Sequence, residues 1–310
     1  MKLLKPFLEQ QGFVMLDGAL ATELERHGAD LKHELWSAKM LIEAPEMIRQ
    51  VSQDYLLAGA DIITTATYQA SFEGFDKVGI DRARAGNLMQ LSVDLAMLAR
   101  EAFWSNYENH RGRLKPLVAA SIGPYGACLA DGGEYHGNYG LDREALVDFH
   151  RPRMEELAHS DADMLAFETI PSKLEAQALI ELLADFPQRK AWLSFSCKDE
   201  LHSCHGELFA ECAALADTSD QIVAVGINCT APQYVVPLLE SAGSISKPQM
   251  VYPNSGEEWV ADEYRWSGTA VGSLSAASWY EAGARVIGGC CRTTPDDIAR
   301  MRAELNAHLE

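Results

Sequence analysis

Eight short apolar runs, each followed by a stretch with helical spacing, constrain the fold of this chain more than any other feature. The runs are Gly12–Leu16, Ala60–Thr65, Pro116–Ser121, Ala162–Phe167, Ala191–Ser196, Ile222–Ile227, Pro248–Tyr252 and Val286–Gly289. They are short and rich in Val, Ile, Leu and Ala, as strands buried on both faces are. Apolar periodicity predicts helices over 20–28, 45–60, 81–104, 141–160, 172–184, 206–216, 232–242, 274–282 and 295–308. Asp142 is placed as an N-cap, and Ser172 with Glu175 three residues on has the capping-box pattern. Thr294 precedes Pro295 as N-cap precedes first helical position. Strand and helix alternating eight times with right-handed crossovers give an α/β fold, a (β/α)8 TIM-type barrel. A doubly wound open sheet is the alternative, but no Gly-x-Gly-x-x-Gly follows the first run. With no internal repeat, low-complexity tract or linker, residues 1–310 are read as one domain. The longest irregular stretch, Gly123–Gly140, holds six glycines and the tyrosines Tyr125, Tyr135 and Tyr139. A loop of that length in a compact domain is expected to be a functional lid or a mobile segment.

In a barrel the active site is built at the C-terminal ends of the strands. Here those positions are Asp17, Thr65, Ser121, Glu168, Ser196, Cys229, Asn254 and the adjacent pair Cys290 and Cys291. Vicinal cysteines rarely bond to each other, and their side chains can converge on one soft metal. With Cys229 they make three thiolates at two strand ends, the donor set of one zinc ion with a fourth position open. Gly288 and Gly289, just before the pair, let the backbone turn and approach something closely. A structural zinc needs a fourth protein ligand. The nearest histidines, His202 and His205, belong to another strand's loop. Three thiolates also make the metal a poor Lewis acid, which suits alkyl transfer to a bound thiolate better than activation of water. A zinc hydrolase is the competing reading. Cys128, Cys197, Cys204 and Cys212 lack metal spacing and read as ordinary small residues. Glu168, at the end of a buried run, needs a cationic or donor partner. Asp17 stands before Gly18, which fits either a turn or a binding loop.

Charge narrows the partners. The net charge is −19, whereas nucleic acid and anionic membrane surfaces need a basic face. No 18-residue apolar run indicates a membrane span, and residues 1–13 lack the apolar core of a signal peptide. Cytoplasm is the expected compartment, with the seven cysteines as thiols.

The segments Leu16-Asp-Gly18, Thr64-Thr-Ala-Thr-Tyr68, Phe167-Glu-Thr169, Gly226-Ile-Asn-Cys229 and Gly288-Gly-Cys-Cys291 resemble the zinc-dependent homocysteine S-methyltransferase family over nearly the whole chain. That family includes betaine–homocysteine methyltransferase and the homocysteine module of cobalamin-dependent methionine synthase. The resemblance implies Zn2+ held by Cys229, Cys290 and Cys291. It implies that Asp17 and Glu168 hold the ammonium of homocysteine, with the backbone N–H groups of Gly18 and Ala19 receiving its carboxylate. Thr169 stands where the betaine enzyme has a tyrosine. The chain ends shortly after Met301 without a folate or cobalamin module, so a free small molecule is expected to bring the methyl group. Short single-barrel members of the family look like users of sulfonium donors, S-methylmethionine first and S-adenosylmethionine second. Betaine or another donor is the alternative. Trp36, Tyr68 and the loop tyrosines are candidates to face the cation.

Overall fold

A computed structural model describes residues 3–31, 33, 35–129, 132–260, 265–270 and 275–310. Eight parallel strands form one sheet: β1 (Val14–Met15), β2 (Ile62–Thr64), β3 (Leu117–Ile122), β4 (Met164–Ile170), β5 (Ala191–Phe195), β6 (Ile222–Asn228), β7 (Gln249–Tyr252) and β8 (Ala284–Ile287). Each pairs with its sequence neighbours, and β8 returns to β1 in register, Val14 opposite Val286. The circle closes between β1 and β2 through one parallel bridge, Leu16 to Ile62. That seam has few ladder bonds, and a buried carboxylate reinforces it. Asp61 accepts from the Met15 amide at 2.9 Å, from Gln11 at 2.6 Å and from Arg302 at 3.0 Å. The fold is the expected (β/α)8 barrel.

Period-two alternation sorts the strand residues into two cores. Met15, Val118, Leu165, Leu193, Val225, Val251 and Ile287 face outward into the layer under the helices. Val14, Ala119, Met164, Ala166, Trp192, Ala224, Met250 and Val286 point into the lumen. Phe7 of the helix Lys5–Gln11 and its N-cap residue Leu4 join this inner cluster from the N-terminal end. That helix was absent from the sequence reading. Continuing the lumen phase upward meets Ser121, Glu168, Ser194, Asn228 and Tyr252, so the lumen turns polar toward the strand C-termini.

Packing inside the barrel leaves Gly226 no room for a side chain. A Cβ there would collide with the Met250 carbonyl oxygen of β7. Gly226→Ala should therefore destabilise the chain by about 3 kcal/mol, read from chemical denaturation. A variant as stable as the parent would show that β6 and β7 can separate at this point.

Most predicted helices form with shifted ends. The N-cap bonds at Asp142, Ser172 and Thr294 are present. The Ser172 capping box is not completed. Ser172 accepts from the Glu175 amide at 3.2 Å, but the Glu175 carboxylate is drawn inward by His150, at 2.9 Å, and the Tyr125 amide, at 2.6 Å. The full box belongs to Thr294 and Asp297. The predicted helix over 206–216 shrinks to Phe209–Ala213 with a 3-10 turn behind it. Of the helix predicted over 274–282, Ala276–Glu281 is helical and Leu274 lies outside the described residues. A short antiparallel hairpin, Glu258–Val260 with Arg265–Ser267, follows β7 and carried no clear signal in the sequence.

Candidate active site

The three cysteines converge as their strand ends predict. Cys229 and Cys291 lie 3.5 Å apart at their sulfurs and Cys290 and Cys291 4.0 Å, and all three sulfurs fall within 4.8 Å of one another. Tetrahedral bonds of ~2.3 Å would set zinc-bound sulfurs ~3.8 Å apart, so this donor set fits a soft divalent cation. The thiols share charge unevenly. Hydrogen bonds from Cys290 and Cys291 hold Cys229 well below the ordinary thiol range, and making those bonds to Cys229 pushes both donors up. Three thiols this close cannot all ionise unless a cation sits among them. Among the described residues no fourth Cys, His, Asp or Glu joins the group. His202 is bonded to Asp199 and His205 to Glu207.

Backbone contacts tie the cysteine-bearing segments together. The Cys229 amide donates to the Tyr252 carbonyl at 3.1 Å, and the Cys290 amide to Pro253 at 2.8 Å. Gly288 and Gly289 serve close approach rather than turning: a Cβ on Gly288 would strike Leu16, and one on Gly289 would strike Thr293. Neither has positive φ. The left-handed non-glycine positions fall instead on Trp36 (φ 44°), Thr169 (φ 59°), Cys229 (φ 46°) and Arg292 (φ 70°), conformations that cost non-glycine residues about 1–3 kcal/mol each. Asn228 holds the Thr169 turn with two bonds of 2.7 Å, from the Thr169 amide to its Oδ1 and from its Nδ2 to Thr169 Oγ1.

Beside the sulfurs lies a cavity of about 380 Å³ lined by Asp17, Gly18, Ala19, Glu168 and all three cysteines. Asp17 accepts from the Thr64 amide at 2.6 Å and hydroxyl at 2.9 Å. Glu168 accepts from Ser121 and, at 3.2 Å, from Tyr252. Burial is the main cause that pushes each carboxyl up to about 7, and the nearby Asp17 adds to the effect on Glu168. Two buried carboxyls with only neutral hydrogen-bond partners make a site for a cation. The Ala19 amide is already engaged, donating to the Thr293 carbonyl at 3.2 Å.

Other strand-end residues act indirectly. Ser121 positions Glu168, Asn254 donates to the Cys229 carbonyl at 3.3 Å, and Ser196 donates to the Glu134 carbonyl at 3.0 Å. Thr65 lines the wall with its hydroxyl engaged by Thr67. The segment 123–140 is ordered into the helix Tyr125–Leu129 and a 3-10 turn, Gly133–Tyr135, with residues 130 and 131 outside the described set. Only Tyr135 of its tyrosines lines the cavity, its hydroxyl 3.4 Å from Cys229 Sγ. Tyr125 and Tyr139 pack on each other with ring centres 5.0 Å apart and planes tilted by 59°, against Leu146 and Val147. Trp36 and Tyr68 line the wall as an edge-to-face pair 6.3 Å apart.

Comparison with known proteins agrees with this geometry. A family model described as homocysteine S-methyltransferase matches residues 14–305. The chain belongs to the homocysteine S-methyltransferase family. It is 50% identical to homocysteine S-methyltransferase YbgG of Bacillus subtilis, covering 98% of each chain. It is 47% identical to selenocysteine Se-methyltransferase of Brassica oleracea, covering 96% of this chain and 90% of that one. The metallated form of the homocysteine methyltransferase MmuM from Escherichia coli superimposes with a TM-score of 0.87 at 45% identity, over 97% of this chain and 99% of that one. No helix among the described residues is long and apolar enough to cross a membrane.

Proposed function

We propose that this chain transfers a methyl group from a sulfonium donor, S-methylmethionine first and S-adenosylmethionine second, to the sulfur of homocysteine, giving methionine. The observation that carries the reading is a three-thiol cluster opening onto a cavity with two buried carboxyls. Cys229, Cys290 and Cys291 are the residues to hold zinc, which when bound supplies a thiolate acceptor sulfur at neutral pH. Asp17 and Glu168 hold the ammonium of homocysteine, and the Gly18 amide, with Ala19 behind it, receives its carboxylate. That grip leaves the acceptor sulfur facing the cysteines. Tyr135 of the Gly133–Tyr135 turn sets its hydroxyl 3.4 Å from Cys229 Sγ and closes that side of the cluster. In the transfer a new S–CH3 bond forms as the donor S–CH3 bond breaks, and the acceptor's thiol proton passes to solvent. The donor leaves as a neutral thioether, so no acid has to protonate it, and alignment carries most of the catalysis.

The test is methionine formation from homocysteine with each donor at equal concentration and zinc-replete enzyme. S-methylmethionine should give two methionines per turnover and S-adenosylmethionine a slower reaction. Selenocysteine as acceptor belongs in the same panel. Methionine from betaine or methyltetrahydrofolate, with none from either sulfonium, would overturn the donor assignment.

A further inference from the structure

The cavity wall is acidic. Asp17, Glu25, Glu134 and Glu168 line it, and Arg292 is its one Lys or Arg side chain among the described residues. Arg292 follows Cys291 directly, so it stands at the mouth one residue from the sulfur cluster. Its backbone sits at φ 70°, outside the comfortable range of an arginine, and its amide donates to Thr22 Oγ1 at 3.1 Å. Among the described residues its guanidinium is fixed by one bond, Nε to Glu257 Oε2 at 3.0 Å. Glu257 is itself held by the Ser255 hydroxyl at 2.7 Å. A pair made through Nε alone leaves the terminal N–H groups of the fork for another acceptor. Strain, a pinned backbone and a single-point ion pair are more than a solvated surface arginine needs. They aim a fixed positive charge at the mouth of an acidic site.

The two substrates make unlike demands on that charge. Homocysteine at Asp17, Glu168 and Gly18 has its carboxylate met by backbone amide. A sulfonium amino acid brings a second carboxylate, a short carbon chain away from its sulfur. With Asp17 and Glu168 engaged by the ammonium of homocysteine, Glu25 and Glu134 still keep the wall acidic, and Arg292 is the Lys or Arg side chain lining it, among the described residues, that can meet this carboxylate. We propose that Arg292 binds the α-carboxylate of the methyl donor and selects sulfonium compounds with an amino-acid head. This rests on the donor assignment above.

The test pairs a protein change with a ligand change. S-methylmethionine and its α-carboxamide are assayed with the parent enzyme, Arg292→Met and Arg292→Lys, with zinc content and homocysteine KM recorded. In the parent the carboxamide should be the poorer donor by about 10- to 100-fold in kcat/KM. Arg292→Met should lower kcat/KM for S-methylmethionine by a similar factor, chiefly through donor KM, and leave the carboxamide unchanged. Arg292→Lys should fall between, because a point charge replaces a fork. Equal losses with both donors would mean that Arg292 acts only through the cysteine loop, and a rise confined to homocysteine KM would assign it to the acceptor; either overturns the proposal. A parent enzyme that uses no sulfonium at all would instead bring down the donor assignment itself.

Discussion

Serine at Cys290 should leave the barrel folded, the metal gone and methionine formation lower by at least about three orders of magnitude. The argument is one of ligand count. Catalytic zinc sites keep three protein ligands and one open position, and this cluster has three thiols and no fourth Cys, His, Asp or Glu among the described residues. Removing one sulfur leaves two, and a serine hydroxyl does not ionise readily enough to replace a thiolate. Without the metal the acceptor stays a thiol at neutral pH and loses several kcal/mol of activation, which at 1.36 kcal/mol per decade gives the stated loss. Cys229→Ser should behave alike. Cys197→Ser and Cys212→Ser, at buried sites outside the cluster, serve as controls that retain metal. Metal analysis should find about one zinc per chain in the parent and almost none in either ligand variant. Full activity in metal-free Cys290→Ser protein would sink the mechanism.

The sequence exposed this site because its residues sit where a strand ends. Asp17, Glu168, Cys229 and Cys290 each close an apolar run, and in a parallel barrel every such run ends on the same rim. What escaped the reading depends on distances that no local pattern encodes. Tyr135 reaches Cys229 across 94 positions of sequence, and nothing sets it apart from Tyr125 and Tyr139, which turn to the helix layer. Glu175 looked like the second half of a capping box, and a buried histidine outcompeted the helix terminus for its carboxylate. Tyr252 and Ser194 were within reach, since both continue the lumen phase of Met250 and Trp192, but only once the inward face of each strand was known. Arg292 carried no signal beyond following the cysteines. Its left-handed backbone and its place in an acidic wall are properties of the folded chain.

Homocysteine should bind more weakly as pH falls from about 8 to about 6, and Asp17 and Glu168 should be the reason. Burial raises both carboxyls to about 7 in the empty site, far above the unfolded range of about 4. The sign follows from linkage. The folded protein favours the protonated acids, so their contribution to stability is full below about pH 4 and is lost as pH rises through about 7. The empty enzyme should therefore lose thermal stability across that interval. An ammonium placed between the two carboxylates reverses the preference, because the complex requires the charges that the empty site resists. Homocysteine should then restore most of the lost stability at pH 8 and little at pH 5.5. Losing one charge-assisted contact costs about 1.5–3 kcal/mol, so Glu168→Ala should weaken homocysteine use by roughly 10- to 150-fold at pH 8, with zinc content nearly unchanged. It should also flatten the pH profile, since one titrating group is gone. The acceptor thiol titrates too, but that share persists in the variant, and the difference between the parent and variant profiles isolates the carboxylate. Homocysteine KM measured from pH 5.5 to 8.5 in the parent, Asp17→Ala and Glu168→Ala decides the matter. Unchanged KM in both variants across the range would contradict the assignment of the two acids to the ammonium.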